Sequence, residues 1–293
     1  MVRRRVIKAI PVIIVVLALL VTAFSCGRQS GDSEKIGVAV TILPLVEYVK
    51  AVGGDRVNAF AMVPPGANPH AYEPTPSQIR KLAEAKMYVK VGAGLSFEVA
   101  WLDKLQAVNT KMLVVDSSKG VELIASVDRD EPGADSHIWV SPLNAITIVR
   151  SICQGLIQVD PQNEASYIKN RDNYIGKLEV LDRDIRERLK SVKNRQFIVF
   201  HPAWGYLARD YQLEQIPIEM QGKEPSAQDI ARVVDEARAK QIKVIFATPQ
   251  INPASAEVIA REIGGRVVFI DDLAANFTEN LRNVVEQMAE AME

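Results

Sequence analysis

Short apolar segments alternate with amphipathic helical patterns along most of the chain, and this alternation restricts the fold more than any other feature of the sequence. Eight apolar segments have the length and composition of buried strands: residues 36–43, 59–63, 87–91, 112–115, 197–200, 215–219, 243–247 and 266–270. Strands that alternate with helices form parallel sheets with helices on their faces. Because 293 residues are enough for two such units, the sequence predicts an α/β fold with two lobes, each built on a parallel β-sheet flanked by helices.

Two helical patterns separate the two sets of strands. Ser141-Pro142 is a typical helix start, and Asp160-Pro161 begins a second helix after a short break. In this second helix apolar residues recur at three- and four-residue steps with one wider gap: Ile168, Ile175, Leu178, Leu181, Ile185, Leu189 and Val192. No Gly/Ser-rich linker lies nearby, so we expect a long, rigid linking helix over 142–193 between an N-terminal lobe (36–141) and a C-terminal lobe (194–293).

The first 25 residues are typical of a secretory signal peptide and are excluded from the fold. Four basic residues precede an uncharged run from Ala9 to Phe24, which is too short for a comfortable membrane span. A small residue directly before Cys26 resembles a bacterial lipoprotein cleavage site. We therefore predict that Cys26 carries a lipid, that 26–35 is a tether, and that the protein is extracytoplasmic and anchored to the cell membrane. An ordinary signal peptide followed by an incidental cysteine is the alternative.

Charge argues against a nucleic-acid-binding protein, and cysteine content argues against a protein held by disulfides. The whole chain has 35 basic and 36 acidic residues, and loss of residues 1–25 removes four basic residues, leaving 31. A nucleic-acid-binding protein would be basic, so we expect no nucleic-acid partner. Cys26 and Cys153 are the only cysteines, so a lipid on Cys26 leaves no possible disulfide. Cys153 lies in an apolar helical pattern and is interpreted as a small buried hydrophobic residue.

The three histidines of the chain all lie at the ends of predicted elements. His70 lies in a proline-rich loop after a strand, His137 ends an acidic loop, and His201 directly follows a strand. Asp271 also follows a strand. In open α/β sheets, ligands bind beyond the carboxyl ends of the strands. Any one of these histidines could be an ordinary polar residue, but their shared position predicts that they meet, together with one carboxylate, around a metal ion.

Several motifs resemble those of one family in the order in which they occur along the chain. Residues 66–76 (Gly-Ala-Asn-Pro-His-Ala-Tyr-Glu-Pro-Thr-Pro), 135–142 (Asp-Ser-His-Ile-Trp-Val-Ser-Pro) and 201–213 (His-Pro-Ala-Trp-Gly-Tyr-Leu-Ala-Arg-Asp-Tyr-Gln-Leu) resemble the segments around three ligands in the metal-binding subunits of zinc and manganese ABC importers, the cluster A-I (cluster 9) family. Residues 222–226 and 269–273 complete the resemblance, which extends from about residue 36 to the C-terminus.

This resemblance implies a fold, a site and partners. It implies two α/β lobes joined by a rigid long helix, with the metal between them, and it implies His70, His137, His201 and Asp271 as the ligands. The expected partners are the permease and ATPase subunits of an ABC importer. We expect a monomer and a binding protein, not an enzyme.

The residues near the four predicted ligands leave some alternatives open. Asp272 could replace Asp271, although the family pattern places the ligand first after the strand. Glu224 is interpreted as a loop residue or as a partner for the second nitrogen of a bound histidine. Three aromatic residues are interpreted as packing around the site: Trp139, Trp204 and Tyr206.

The donor set favours Zn²⁺ over Mn²⁺. Imidazole suits zinc, whereas carboxylate-rich sets suit manganese, and family members that favour manganese often have glutamate at the position of His201. A manganese-preferring binding protein is the nearest alternative. A secreted zinc-dependent hydrolase is a rival from another class, because three histidines also build hydrolytic sites. A role as a surface adhesin is compatible with metal binding, but no motif in the sequence supports it.

Overall fold

The computed structural model describes residues 35–126, 133–219 and 224–293. The predicted signal peptide, Cys26 and nearly all of the predicted tether lie outside the described residues, as do most of the acidic residues before His137 and the Gly222-Lys223 pair. Within the described ranges no helix is long and apolar enough to cross a membrane. Residues 35–293 form one compact unit.

The first sheet has four parallel strands in the order β2-β1-β3-β4. The strands are β1 (Ile36–Val40), β2 (Val57–Ala61), β3 (Met87–Lys90) and β4 (Leu113–Asp116). Val38 of β1 pairs with Ala59 on one side and Met87 on the other. The centre of the sheet is fully buried, which explains why its strands are apolar runs without a polar alternation.

Three helices connect these strands: α1 (Leu43–Gly53), α2 (Pro76–Ala83) and α3 (Ser96–Val108). A capping box fixes the start of α2. The Thr75 side chain accepts a hydrogen bond from the backbone N–H of Gln78, and the Gln78 side chain accepts one from the backbone N–H of Thr75. This reciprocal capping box, with Pro76 in the first turn, ends the loop that contains His70 at a defined point.

The segment between the lobes is a pair of helices, α4 (Pro142–Val159) and α5 (Glu164–Arg188), separated by a short 3-10 turn at Pro161–Asn163. The Asp160 carboxylate, just before this turn, accepts hydrogen bonds from the hydroxyl of Tyr167 and the side-chain amide of Asn163. α4 and α5 pack against each other, and both pack against α1. The predicted helix of about 30 residues is a 25-residue helix in the structure, and the domain limits proposed from the sequence stay a prediction.

The second sheet repeats the arrangement of the first, with parallel strands in the order β6-β5-β7-β8. Its strands are β5 (Gln196–Val199), β6 (Glu214–Pro217), β7 (Val244–Ala247) and β8 (Arg266–Phe269); its helices are α6 (Gly205–Tyr211), α7 (Ala227–Ala239), α8 (Ala254–Glu262) and α9 (Phe277–Met292). Two parallel sheets flanked by helices confirm the predicted fold class. Sequence reasoning missed only α6 among these helices, because seven residues are too few to show a helical period.

One hydrophobic core connects the two lobes. The side chains of β5 alternate: Phe197 and Val199 belong to the same buried cluster as the first sheet, α4 and α5, whereas Ile198 belongs to a second cluster with α7 and α8. Rigid connection therefore comes from shared packing as well as from the linking helices.

The last helix, α9, closes this shared core against the first lobe. The ring of Phe277 packs edge-on against Tyr48 of α1, with ring centroids 5.2 Å apart. The Glu47 carboxylate accepts hydrogen bonds from the hydroxyls of Thr278 in α9 and Tyr174 in α5. Arg188 of α5 is hydrogen-bonded across the same interface to Glu286 and Glu293. These contacts oppose a hinge motion between the lobes.

We therefore predict that metal binding changes the overall dimensions very little. The protein without residues 1–25 should have the same radius of gyration before and after saturation with zinc, because closing the lobes would disrupt the shared core. Small-angle X-ray scattering measures the radius of gyration of monomeric fractions of both forms. A clear decrease in the radius of gyration on zinc addition would contradict a rigid connection.

Candidate metal centre

The fold brings the three histidines of the chain together. His70 lies in the loop between β2 and α2, His137 directly precedes a 3-10 turn at Ile138–Val140, and His201 lies two residues after β5. One nitrogen from each ring lies within 4.8 Å of the nitrogens of the other two. The ring centroids are 5.0 Å apart for His137 and His201, 5.1 Å for His70 and His201, and 5.6 Å for His70 and His137. Three imidazoles at this spacing can bind one ion, although their role as ligands stays a prediction at this point.

The loop that contains His70 is held by one side chain from the first turn of α2. Gln78 donates a hydrogen bond from Nε2 to the carbonyl of Met62, 2.6 Å away, where the chain leaves β2. Its Oε1 accepts hydrogen bonds from the Tyr72 hydroxyl and from the Thr75 backbone N–H, both at 2.8 Å. The beginning and the end of the loop are thereby attached to the same amide group.

His70 itself has local contacts on both its backbone and its ring. Its backbone N–H donates to Oδ1 of Asn68 at 2.9 Å, which shapes the tip of the loop. Its Nδ1 lies 3.4 Å from the hydroxyl oxygen of Ser96, the first residue of α3. These contacts direct the ring towards the other two histidines.

A buried carboxylate orients His137. Oδ1 of Asp135 lies 2.8 Å from the backbone nitrogen of His137 and 2.8 Å from its Nδ1. Asp135 is only 5% exposed, so this pair is screened little by water. Because the carboxylate contacts Nδ1, the ring presents Nε2 to the cluster.

A second carboxylate has the same relation to His201. Oε2 of Glu219 lies 2.9 Å from Nδ1 of His201, and the Glu219 backbone N–H donates to the carbonyl of Phe200. β6 lies beside β5 in the sheet, so the residues that follow these two strands become neighbours. Glu224, which we interpreted as a loop residue or histidine partner, is exposed and instead accepts a hydrogen bond from Ser255.

Sequence reasoning missed the roles of both carboxylates that contact the histidines. For Asp135, the signal was the Asp-x-His spacing, since an acidic residue two positions before a histidine can reach both its backbone and its ring. For Glu219 no local signal exists, because 18 residues separate it from His201. Only the order of the strands in the sheet brings these two residues together.

The two oriented rings face each other through their Nε2 atoms, which are 3.1 Å apart. When Asp135 and Glu219 are ionised they accept hydrogen bonds from the Nδ1–H groups, so each neutral ring then turns its Nε2 lone pair towards the other. Two facing lone pairs are stabilised by a cation. A tetrahedral zinc ion about 2.0–2.1 Å from each nitrogen spaces its nitrogens about 3.3 Å apart, close to the observed separation. The spacing of this pair therefore fits a tetrahedral ion.

The predicted fourth ligand, Asp271, lies outside the group of three imidazole nitrogens. Its Oδ1 accepts hydrogen bonds from Nε2 of Gln250 at 2.7 Å and from the backbone N–H of Leu273 at 2.9 Å. Both bonds involve one oxygen, which fixes the carboxylate group while Oδ2 remains the oxygen for a metal. Asn280 also donates to the Asp271 carbonyl. The assignment of Asp271 as a ligand stays a prediction.

Asp272, the alternative carboxylate, has a different environment. Burial raises the pKa of its carboxyl group, and the nearby His137 and His201 partly oppose this shift. Its carbonyl accepts a hydrogen bond of 2.7 Å from the indole N–H of Trp139. Trp139 is fully buried with its ring centroid 5.1 Å from that of His137. The choice of Asp271 over Asp272 as the ligand stays a prediction.

Comparisons with known proteins agree with this architecture. Residues 38–291 match the model of the family described as ZnuA, zinc-uptake complex component A, periplasmic. The high-affinity zinc uptake system protein ZnuA of Bacillus subtilis (strain 168) is 29% identical over 278 residues, which cover 88% of this chain and 87% of that protein.

Solved structures are similar over almost the same range. A crystal structure of ZnuA superposes with a TM-score of 0.85 at 38% identity and covers 89% of this chain and 100% of that one. The laminin-binding protein Lmb of Streptococcus agalactiae, described as bifunctional with adhesin and metal-transporting activity, has a TM-score of 0.80 at 26% identity, with 89% of this chain and 100% of that chain covered.

The fold and the histidine cluster define a two-lobed solute-binding protein with its site at the carboxyl ends of the strands. Since the family model matches residues 38–291, the chain belongs to the ZnuA family. This confirms the family resemblance seen in the sequence motifs.

The contact between Glu219 and His201 generates a prediction. Glu219→Gln keeps the shape of the side chain but removes the negative charge that favours the Nδ1–H form of the ring, so zinc affinity should fall by about 10–100-fold. Competition with a zinc chelator measures the affinity. Glu224→Gln is the matched control: it makes the same change at an exposed glutamate bonded to Ser255 and should bind like the wild type. Equal affinities for Glu219→Gln and the wild type would rule out an orienting role for Glu219.

Proposed function

We propose that this protein is an extracytoplasmic solute-binding protein that captures Zn²⁺ and delivers it to the permease and ATPase subunits of an ABC importer. The observation that carries the proposal is the pair of histidine Nε2 atoms 3.1 Å apart, with each ring contacting a carboxylate through Nδ1. His70 supplies a third nitrogen, within 4.8 Å of the other two. The names of the relatives, which include a zinc uptake protein, support zinc as the cargo.

In this proposal His70, His137, His201 and Asp271 are the four ligands. Three imidazoles and one carboxylate carry one negative charge, and the ionised Asp135 and Glu219 beside the rings add two more. Together these three negative charges exceed the two positive charges of the ion by one, so the ion is fully compensated inside the site. Asp271 has to bring its Oδ2 to the ion, while its Oδ1 stays bonded to Gln250 and Leu273.

Nitrogen donors favour zinc over manganese. Zinc also binds more tightly than manganese to most nitrogen and oxygen sites, so a site rich in imidazole strengthens an existing preference. A manganese-preferring protein of the same family is the alternative that the experiment below distinguishes.

A hydrolytic function has less support. A zinc hydrolase keeps one coordination position open for water and needs a general base beside it. The carboxylates that contact the imidazoles, Asp135 and Glu219, are engaged with Nδ1 atoms, where they orient ligands. Adhesion, one of the two activities in the description of the Lmb relative, is not part of the proposal.

Substitution of His201 tests the proposal. His201→Ala removes one of the two facing nitrogens, so zinc affinity should fall by more than the roughly 10–100-fold that loss of an orienting residue costs. His201→Glu replaces nitrogen by oxygen and should narrow the difference between zinc and manganese affinity. Titration calorimetry with each metal on the wild type and both variants measures these effects, and circular dichroism checks the fold.

Two results would contradict the assignment. Tighter binding of manganese than of zinc by the wild type would favour the manganese alternative. Unchanged zinc affinity in a folded His201→Ala variant would exclude His201 as a ligand.

The proposal places the protein at the membrane surface through its N-terminus. We propose that Cys26 becomes the lipid-bearing first residue of the mature chain, because a basic segment, an apolar run and a small residue precede it and a polar segment follows it. One acyl chain binds a membrane only marginally, so two or more chains are expected.

Mass spectrometry of protein isolated from the native cell envelope tests the anchor. The expected N-terminal peptide begins at Cys26 and has the added mass of its acyl chains. Cys26→Ser is the matched variant and should appear uncleaved or in the soluble fraction. A mature wild-type chain that begins elsewhere, with Cys26 unmodified or missing, would contradict the anchor and leave the metal site unaffected.

A further inference from the structure

The helix that follows His201 also contacts the residues around His137. α6 begins at Gly205, four residues after His201, whereas His137 is 64 residues away from His201 in the sequence. Three residues of α6 face the segment that leads into and out of His137: Gly205, Tyr206 and Arg209. The second lobe therefore builds part of the support for a histidine that belongs to the first.

Tyr206 completes a backbone pair just before His137. The Asp135 backbone N–H donates to the Ile124 carbonyl at 2.9 Å, next to the antiparallel bridge between Ala125 and Ala134. The return bond of this pair runs through the Tyr206 hydroxyl, which accepts from the Ile124 N–H at 3.4 Å and donates to the Asp135 carbonyl at 2.7 Å. The hydroxyl thus sets the spacing between two backbone segments and fixes the peptide group of Asp135.

Arg209 supports the residues on the other side of His137. Its guanidinium group donates to the Glu122 carbonyl at 2.7 Å and to Oδ1 of Asn144 at 3.1 Å. The side-chain amide of Asn144 in turn donates to the carbonyl of Ile138, the residue after His137. The guanidinium carbon also lies 5.0 Å from the centroid of the Tyr206 ring, so both side chains act from one face of α6.

Gly205 allows this helix to approach the carboxylate that contacts His137. A Cβ atom at position 205 would lie 2.5 Å from Oδ2 of Asp135. Since Oδ1 of Asp135 is bonded to His137, the carboxylate could not move aside without turning the imidazole. α6 is therefore in direct contact with the group that determines which nitrogen His137 presents.

We propose that Tyr206 is a positioning residue of the metal centre, which holds the Asp135 peptide through its hydroxyl and thereby aims Nε2 of His137 at Nε2 of His201. The inference rests on the proposed zinc function. It goes beyond the ligands by making the geometry of one histidine depend on the helix that follows another. Sequence analysis interpreted Tyr206 as a packing residue, and its ring is indeed fully buried.

Burial also keeps the hydroxyl in the form that this role needs. It raises the pKa of Tyr206 to about 12, so the hydroxyl remains a donor to the Asp135 carbonyl at neutral pH.

Tyr211 provides a matched control on the same helix. It is also buried, at 4% exposure, and its hydroxyl donates to Oδ1 of Asp182 in α5 at 3.0 Å. Replacement of either tyrosine by phenylalanine removes one hydroxyl and one hydrogen-bond donor from α6. Only Tyr206→Phe removes a contact to Asp135.

The experiment compares wild type, Tyr206→Phe and Tyr211→Phe. Zinc affinity is measured by chelator competition, the stability of the metal-free proteins by urea unfolding, and the coordination geometry by the visible spectrum of the Co²⁺ forms. We expect Tyr206→Phe to bind zinc about 10–100-fold more weakly, with an altered Co²⁺ spectrum. Tyr211→Phe should match the wild type in affinity and spectrum, even if both variants lose similar stability.

The alternative results are distinguishable. Wild-type zinc affinity and Co²⁺ spectrum in Tyr206→Phe would overturn the positioning role and leave the zinc function intact. Equal losses of zinc affinity in both variants would do the same. A wild type that binds no zinc would contradict the proposed function and this inference together.

Discussion

Two imidazole nitrogens, held 3.1 Å apart with their other ring nitrogens against carboxylates, impose the main constraint on this protein. Neutral rings in that arrangement direct lone pairs at one another, which is unfavourable until a cation lies beside them. The protein maintains this arrangement because Asp135 and Glu219 have little freedom to move. Both side chains are largely buried, and their backbone N–H groups donate to the carbonyls of Ile124 and Phe200. Backbone structure around the two carboxylates thus fixes the orientation of the rings.

The sheets explain why such a pair can form from distant parts of the chain. In both lobes the strands are parallel, so all their carboxyl ends lie on one edge, where polar side chains and helix starts accumulate. The hydrophobic core extends from the first sheet through α4 and α5 to one face of the second. Because that core is continuous, it fixes the two edges relative to each other, and side chains from different lobes can meet at one site.

Much of the fold and part of the site could be predicted from local patterns. Apolar runs predicted all eight strands, and the Ser141-Pro142 pair predicted the start of α4. The positions of the histidines after element ends predicted that they would meet. The role of Glu219 could not be predicted, since it depends on β6 pairing with β5, and strand order is not a local property. Helix α6 was too short for its periodicity to be seen, and Tyr206 looked like any buried aromatic residue until its hydroxyl was found between two backbone segments.

The position of α9 has a consequence for the order in which this chain can fold. Phe277 and Thr278 contact Tyr48 and Glu47, so the core of the first lobe includes side chains from the last stretch of the sequence. During synthesis the N-terminal residues emerge first, yet their packing remains incomplete until residues beyond 277 are available. Contacts of such high sequence separation slow folding. Complete packing of the N-terminal lobe is therefore a late event, which follows the synthesis of the last helix.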